Sequence, residues 1–268
     1  MISIIVSPND CAKCHKKEVK EFNNSIHSKA RLLLTTGIGN YFLKNLAGSQ
    51  YLKNHPKAGK YGANEIGCSQ CHGSKIQLDK NAQPISHTWP NAGIGRENPD
   101  GSFGNCAACH KGHEFSVAQA RQPEACANCH NREGGDPQIE SYNRSRHGTT
   151  YHTKKEQMNL HSDKWIVGKD YFAAPTCATC HMSATTDMHT THNVDKRMGW
   201  SKLLQQTNSL AVKEKCGLPD EVQKSKNIQP KPNPAHKESM KKVCKACHSD
   251  TFNKNFFLQY ESQIQLIE

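Results

Sequence analysis

The unit C-x-x-C-H occurs six times in this chain, and no other feature constrains its fold as much. The units are Cys11/Cys14/His15, Cys68/Cys71/His72, Cys106/Cys109/His110, Cys126/Cys129/His130, Cys177/Cys180/His181 and Cys244/Cys247/His248. They take up all of the 13 cysteines except Cys216. A disulfide framework has no reason to follow every second cysteine with a histidine. A zinc site can use such a unit as half of a tetrahedral sulfur or sulfur–nitrogen cage, so six units are enough for three cages. The invariant spacing and a surplus of histidine point instead to the attachment signature of c-type haem. In that chemistry the two thiols add across the porphyrin vinyl groups and the adjacent imidazole becomes the proximal iron ligand. Six covalently attached haems are expected.

The composition fits a core that side chains alone do not fill. Of 268 residues, 35% are apolar and only 7% aromatic, with a mean hydropathy of −0.80. That is thin for a chain of this length. The expected fold class is mainly α, a loop-rich multihaem cytochrome c in which haems form much of the core. The formal charge of +11 is met by about twelve propionates and partly restored by ferric iron, leaving about +5 oxidised and about −1 reduced. The basic balance therefore reads as compensation for propionates. With no Lys/Arg-rich block or nucleic-acid motif, no nucleic-acid partner is expected. No stretch approaches about 18 consecutive apolar residues, so no membrane-spanning helix is expected. The N-terminus MISIIVSPND is too short for a signal peptide. Because haem c is attached outside the cytoplasm in prokaryotes, either an export signal has been removed or this chain is a piece of a longer one.

The motifs begin 57, 38, 20, 51 and 67 residues apart, which is no fixed period and argues against a solenoid. A single hexahaem domain over 1–268 is expected, with an N-terminal haem segment at 1–60, a haem core at 61–250 and the start of a C-terminal helix at 251–268. Residues 17–34 and 113–122 suit helices, 98–105 and 132–138 suit loops, and little sheet is expected. The Lys/Pro-rich stretch 217–238 reads as a surface excursion. In 252–268, Phe256, Phe257, Tyr260, Ile264 and Ile267 recur at amphipathic-helix spacing. Cys216 reads as a structural thiol, with an intermolecular disulfide as the alternative. The motifs at 106 and 126 are close enough in sequence to suggest haems in fast electron exchange.

Beyond the proximal ligands, ten of the 16 histidines remain: His27, His55, His87, His113, His147, His152, His161, His189, His192 and His236. An electron-transfer haem takes a second strong axial ligand, whereas a haem that performs chemistry keeps a position open. Histidine is the favoured distal ligand here, with Met182 and Met240 as weaker options. His27, His113, His147, His192 and His236 sit in settings that suit distal ligation, while His152 and His189 are substitutes for any of them. His113 follows its own proximal histidine so closely that it suits a different haem. Five distal ligands for six irons leave one iron open, the pattern of a redox enzyme fed by an electron relay.

CAACHKGHEFSVAQARQPEACANCH, PQIESYNRSRHG, APTCATCHMS, THNV, VCKACH and NFFLQYE, in this order, together with WPNAGIGRENPDGSFGNC at 89–106, resemble the octahaem hydroxylamine oxidoreductase family. The resemblance runs from about residue 66 to the C-terminus. It implies that Cys68/Cys71/His72 holds the catalytic haem and that the next four motifs hold the family's fifth to eighth haems. The chain differs in having one motif, not three, before that haem. It also stops where the family's long C-terminal helices begin, so the tyrosine that cross-links to a neighbouring subunit's catalytic haem in the oxidative members cannot be assigned in these residues, and oxidation returns if this chain is a fragment or a partner supplies those helices. The resemblance implies redox chemistry on small nitrogen compounds: hydroxylamine or hydrazine oxidation with the cross-link, nitrite reduction without it. It further implies a trimer, although the missing helices are part of what holds such trimers together. A homo-oligomer or hetero-complex with cytochromes or quinone-linked proteins as redox partners is expected, and the site of haem attachment gives a periplasmic or extracellular location.

Proton delivery to an open face at His72 needs acid/base groups. His87, between the second and third motifs, is the leading candidate, with Asp79 and Tyr151 as companions. A surface histidine, a loop aspartate and a packing tyrosine are the plain alternatives. The competing function is a non-enzymatic electron carrier or filament subunit in which every haem is bis-histidine ligated.

Overall fold

The computed structural model describes residues 4–35, 67–132, 137–198, 200 and 233–267. They divide into two compact units, the first holding residues 4–35 and 67–116 and the second the remainder. The described residues are helix and loop, with only isolated β-bridges between single residues. Cys216, His55 and residues 133–136 and 217–232 of the two predicted loops lie outside the described residues. No helix among the described residues is long and apolar enough to cross a membrane.

The first unit contains α1 (Pro8–Cys11), α2 (Lys16–Asn23), α3 (Ala30–Thr35) and α4 (Cys68–His72). The helix expected over 17–34 is broken. Asn24 closes α2, and Ser25 turns extended and accepts the His27 N–H with its side chain before a 3-10 turn at Ile26–Lys29. Asn and Ser compete for backbone partners in this way and so favour caps over helix interiors. The segment 89–105 is fixed to the N-terminal residues by Arg96. Its guanidinium is buried and donates to Asn98 Oδ1 (2.9 Å), the Asn91 carbonyl (2.9 Å) and the Val6 carbonyl (2.6 Å). Nothing in the local sequence signals that Arg96 points inward, because two of its acceptors are backbone groups.

The same segment presses against α4. A Cβ on Gly93 would lie 2.1 Å from the Gly73 nitrogen, and one on Gly95 2.6 Å from the Ala30 nitrogen. These glycines let two backbones approach more closely than any side chain allows. The N–H groups of Ile94 and Gly95 donate to the carbonyls of Cys71 (2.9 Å) and His72 (3.2 Å), so the loop also caps the end of the motif turn.

The second unit contains α5 (Val117–Arg121), α6 (Pro123–Ala127), α7 (Gln138–Arg144), α8 (Arg146–Lys154), α9 (Cys177–His181), α10 (Pro234–Lys245) and α11 (Asp250–Ile267). The helix expected over 113–122 is shorter, because His113 and Phe115 adopt positive φ (75° and 47°) and only Val117–Arg121 is helical. The end of the expected 217–238 excursion is also helical. Asn233 accepts the Ala235 N–H, Pro234 occupies the first turn and α10 begins there, a start signal of Asn followed by Pro.

The core of this unit is small and aromatic: Tyr151, Met158, Trp165, Val167, Tyr171, Ala174, Ala178 and Val243. Trp165 and Tyr171 stack at 4.4 Å between ring centroids. The Trp165 indole N–H donates to the Met158 carbonyl (2.8 Å). Tyr171 shares a 2.6 Å hydrogen bond with Thr179 inside the fifth motif, so the core is built directly beneath α9. On α11, Phe257 is buried while Phe256 remains exposed; the side chains of Ile264 and Ile267 lie outside the described residues.

Candidate haem-binding sites

Each C-x-x-C-H unit forms one helical turn. The His15, His110, His130 and His248 N–H groups donate to the carbonyl of their motif's first cysteine at 2.8, 2.9, 3.0 and 2.9 Å, and the second and fifth motifs are α4 and α9 themselves. Residues i, i+3 and i+4 of such a turn share one face. Two thiols and an imidazole are thereby presented together, the donor set that a covalently attached haem requires. Local caps start several turns: Asn105 accepts the Ala107 N–H, and Thr176 accepts the Thr179 N–H. The motif cysteines form no disulfides and are half-buried or exposed, unlike cysteines in ordinary cores. Among the described residues, no group of three or more His, Cys, Asp or Glu side chains converges as a metal cage requires. The residues present fit haem.

The spacing alone makes the twelve thiols equivalent, and the structure does not. Cys14 and Cys129, the second cysteines of the first and fourth motifs, close their turns by donating N–H to the carbonyls of Cys11 and Cys126, each at 3.1 Å. Their surroundings differ nonetheless. Cys14 is exposed, as is Cys247 in the sixth motif, whereas Cys129 is half-buried. Burial pushes the Cys109 thiol, at the same position of the third motif, above its ordinary value. The attachment turn is therefore local, while the burial of each sulfur is set by what packs over it.

Tertiary packing pairs motifs that are distant in sequence. In the first unit Cys106 is hydrogen-bonded to Cys11, and burial with that neighbour pushes the Cys106 thiol up to about 12. In the second unit Cys126 hydrogen-bonds Cys177 and holds its thiol below the ordinary value. Burial, with Cys244 and Cys177 nearby, pushes Cys180 up to about 12. The first motif thus sits beside the third, the fourth beside the fifth, and the fifth near the sixth. The first two of these pairings run through Cys11 and Cys126.

The imidazoles differ in what holds them. His72 Nδ1 lies 3.0 Å from the Ala30 carbonyl. A carbonyl only accepts, so Nδ1 carries the proton and Nε2 is left to face a metal. His236 is oriented in the same way by the Met198 carbonyl at 2.6 Å. His181 Nδ1 is buried without a hydrogen-bond partner, and burial, then Arg197 and His130, push this imidazole down to about 4. The His147 and His248 rings lie 6.1 Å apart between centroids. Two imidazoles that bind one metal from opposite sides through bonds of about 2 Å come to a similar separation once the ring radii are added.

The other predicted residues are placed less tellingly. His27 lies in the 3-10 turn at Ile26–Lys29, His113 is exposed at positive φ, and His192 is half-buried. His152 Nε2 bonds Asn143 Oδ1 (3.0 Å), and the carbonyl of exposed His189 accepts from Arg197. His87 is exposed in the first unit. Asp79 is exposed there too, but its Oδ1 accepts the N–H groups of Asn81 (2.8 Å) and Gln83 (2.9 Å), the work of a loop-closing aspartate. Tyr151 is fully buried in the core of the second unit. The structure brings Asp79 and His87 into the same unit as His72 and places Tyr151 in the other. Sequence reasoning missed Arg197. It is buried and bonds the carbonyls of Thr179, Cys180, Ser183 and His189 around the fifth motif, and its flanking sequence carries no signal of that role.

Comparison with known proteins gives the same picture. The family model described as "Seven times multi-haem cytochrome CxxCH" matches residues 100–265. Models for "Cytochrome c7 and related cytochrome c" and "Cytochrome c554 and c-prime" match residues 52–131 and 10–46. A Kuenenia stuttgartiensis protein named "Probable nitrite reductase-hydroxylamine oxidoreductase fusion protein" is 30% identical over 224 residues, which is 65% of this chain and 26% of that protein. A solved structure named "Hypothetical multiheme protein" superposes with a TM-score of 0.77 at 25% identity, covering 98% of this chain and 63% of that one. A reducing HAO-like protein complex from Kuenenia stuttgartiensis shares the fold, with a TM-score of 0.56, 21% identity and coverage of 96% and 45%. The chain therefore spans about a quarter of the curated relative and under two thirds of either solved chain. With the first of these family models covering more than half of its length, and C-x-x-C-H turns shaped for covalent attachment, this protein belongs to the multihaem c-type cytochromes, which transfer electrons through covalently bound haems.

Proposed function

We propose that this protein is an oxidoreductase of small nitrogen compounds, oxidising hydroxylamine or hydrazine or reducing nitrite, with six haems of which the one on Cys68/Cys71/His72 is open. The observation that carries the reading is the 30% identity to a protein named as a nitrite reductase–hydroxylamine oxidoreductase fusion. Bound haem supplies one-electron redox at iron and a coordination position for a small ligand. The chain's own residues then have distinct tasks. Ala30 holds the His72 ring by its carbonyl, while Gly93 admits the 89–105 segment against the motif turn and Gly95 admits it against Ala30. His27, His113, His147, His192 and His236 are the distal ligands of the other five haems, His236 being already oriented by Met198. His87, exposed in the unit that holds the second motif, is the group that exchanges protons with solvent; Asp79 and Tyr151 serve the loop and the core. The protein works in the periplasm or outside the cell, in a homo-oligomer or hetero-complex with cytochrome or quinone-linked redox partners.

The alternative is a pure electron carrier with every iron bis-histidine ligated; the His147–His248 separation, which concerns only the haem of the sixth motif, is common to both readings. Optical and EPR spectra of the purified protein with cyanide or nitric oxide separate the two. One high-spin haem that takes the ligand is expected, and its loss in H72M assigns it. Six unresponsive low-spin haems leave the carrier reading in its place.

A further inference from the structure

We propose that Arg197 makes the haem on Cys177/Cys180/His181 the highest-potential site of the second unit, the point where electrons collect. This inference does not depend on the substrate and rests only on that motif carrying a haem. Arg197 is 2% exposed. It donates to the carbonyls of Ser183 (2.6 Å), Thr179, Cys180 and His189 (each 3.4 Å). Four of its five N–H donors are thus used on neutral groups that wrap the motif, and among the described residues no carboxylate pairs with it. A guanidinium does not release its proton in a protein. A full positive charge is therefore clamped against the attachment turn, in surroundings that screen it far less than water does.

Reduction of the attached iron from ferric to ferrous adds one electron and no proton, so the site charge falls by one. A fixed cation favours that change. The proximal ligand acts in the same direction. His72 donates Nδ1–H to a carbonyl at 3.0 Å, which raises the basicity of the ligating nitrogen and favours ferric iron. His181 Nδ1 is buried without an acceptor, so this imidazole is the weaker electron donor. A nearby positive charge and an unassisted imidazole both raise the potential through the electrostatic and hydrogen-bonding levers known for haem sites. Arg197 is accordingly a positioning and tuning residue, not a catalytic one.

The test is a spectroelectrochemical titration of the holoprotein with EPR detection of each ferric signal. H130M, H181M and H248M each alter one signal and so assign the three haems of this unit. In the unaltered protein the His181 signal should vanish first of these three on stepwise reduction. R197Q should shift that haem alone, making its reduction at least about tenfold less favourable, or about 59 mV downward for one electron, and R197K should hold it near its original position. A His181 haem that is not the first of the three to be reduced, or an R197Q midpoint that does not move, overturns the proposal. If R197Q fails to mature, the order of reduction in the unaltered protein still decides. Intact mass that shows no haem on this motif overturns the premise and is distinguishable from both.

Discussion

The imidazole of His147 lies 6.1 Å from that of His248, with the ring planes 47° apart. His147 lies in the first turn of α8 and His248 ends the last motif, 101 positions later. Phe252, one helical turn further along, stacks on His248 at 4.4 Å and restricts how that ring can rotate. The pair matches two imidazoles on opposite faces of one iron. Replacing His147 with alanine is therefore expected to convert one low-spin haem, that on Cys244/Cys247/His248, to a high-spin form that binds cyanide. An EPR spectrum of H147A with all low-spin signals intact would show that the two rings do not share an iron.

Gly93 faces the Gly73 nitrogen at 2.1 Å and the Ser69 carbonyl at 2.7 Å, measured from an added Cβ. Both neighbours are backbone, so neither moves aside cheaply. G93A is expected to displace the 89–105 segment from the second motif and to lower haem attachment at Cys68/Cys71. Peptide mapping by mass spectrometry reads that directly, with the other motifs as internal controls.

The buried Arg96 guanidinium joins residue 6 to residues 91 and 98 through three hydrogen bonds. Truncation to alanine leaves the Asn91 and Asn98 acceptors buried without this donor, a cost of about 3 kcal/mol. Lysine, which lacks the planar fork, should recover only part of this. Thermal unfolding monitored at the Soret band checks both variants, and an R96A midpoint equal to the parent's would remove Arg96 from the framework.

In the second unit, Y171F removes the 2.6 Å bond to Thr179 while keeping the stack on Trp165, so a loss of about 1 kcal/mol is expected. W165A removes the largest fully buried side chain, and about 4 kcal/mol is expected for such a truncation. A denaturant titration in which the two variants lose equal stability would contradict this division between hydrogen bond and packing.

Asp100 ties the N-terminal residues to the 98–105 loop, accepting from Ser7 Oγ (2.6 Å) and Asn9 Nδ2 (3.0 Å). Burial would raise its carboxyl, but hydrogen bonds from Ser102, Ser7 and Asn9 outweigh it and hold the group below its ordinary value. A depressed folded-state value means stability that is present above the ordinary carboxylate range and lost as pH falls through the lower, folded value. The parent should therefore lose stability on acidification below about pH 4. D100N should be less stable than the parent near neutrality and show a weaker acid dependence. Parallel acid slopes for the two proteins would dismiss the linkage.

Much of this protein is determined by sequence alone, because its decisive pattern is local. Two cysteines and a histidine at i, i+3 and i+4 fall on one face of a turn whatever surrounds them, so the attachment sites, the thin core and the mainly helical, loop-rich fold are legible without coordinates. The expected helix at 17–34 fails at Asn24–Ser25 for an equally local reason, side chains that prefer to cap. What only the tertiary structure decides is non-local. Identical motifs leave Cys14 exposed and Cys129 half-buried, because burial depends on the neighbours and not on the spacing. Chain order puts the motifs at 106 and 126 side by side, yet packing sets Cys106 against Cys11 in one unit and Cys126 against Cys177 in the other. The inward turn of Arg96 and Arg197, the Ala30 carbonyl behind His72 and the meeting of His147 with His248 likewise depend on backbone groups and residues brought together by folding. No spacing in the sequence encodes them, because a hydrogen bond to a distant carbonyl leaves no mark on the identity of the residue that accepts it.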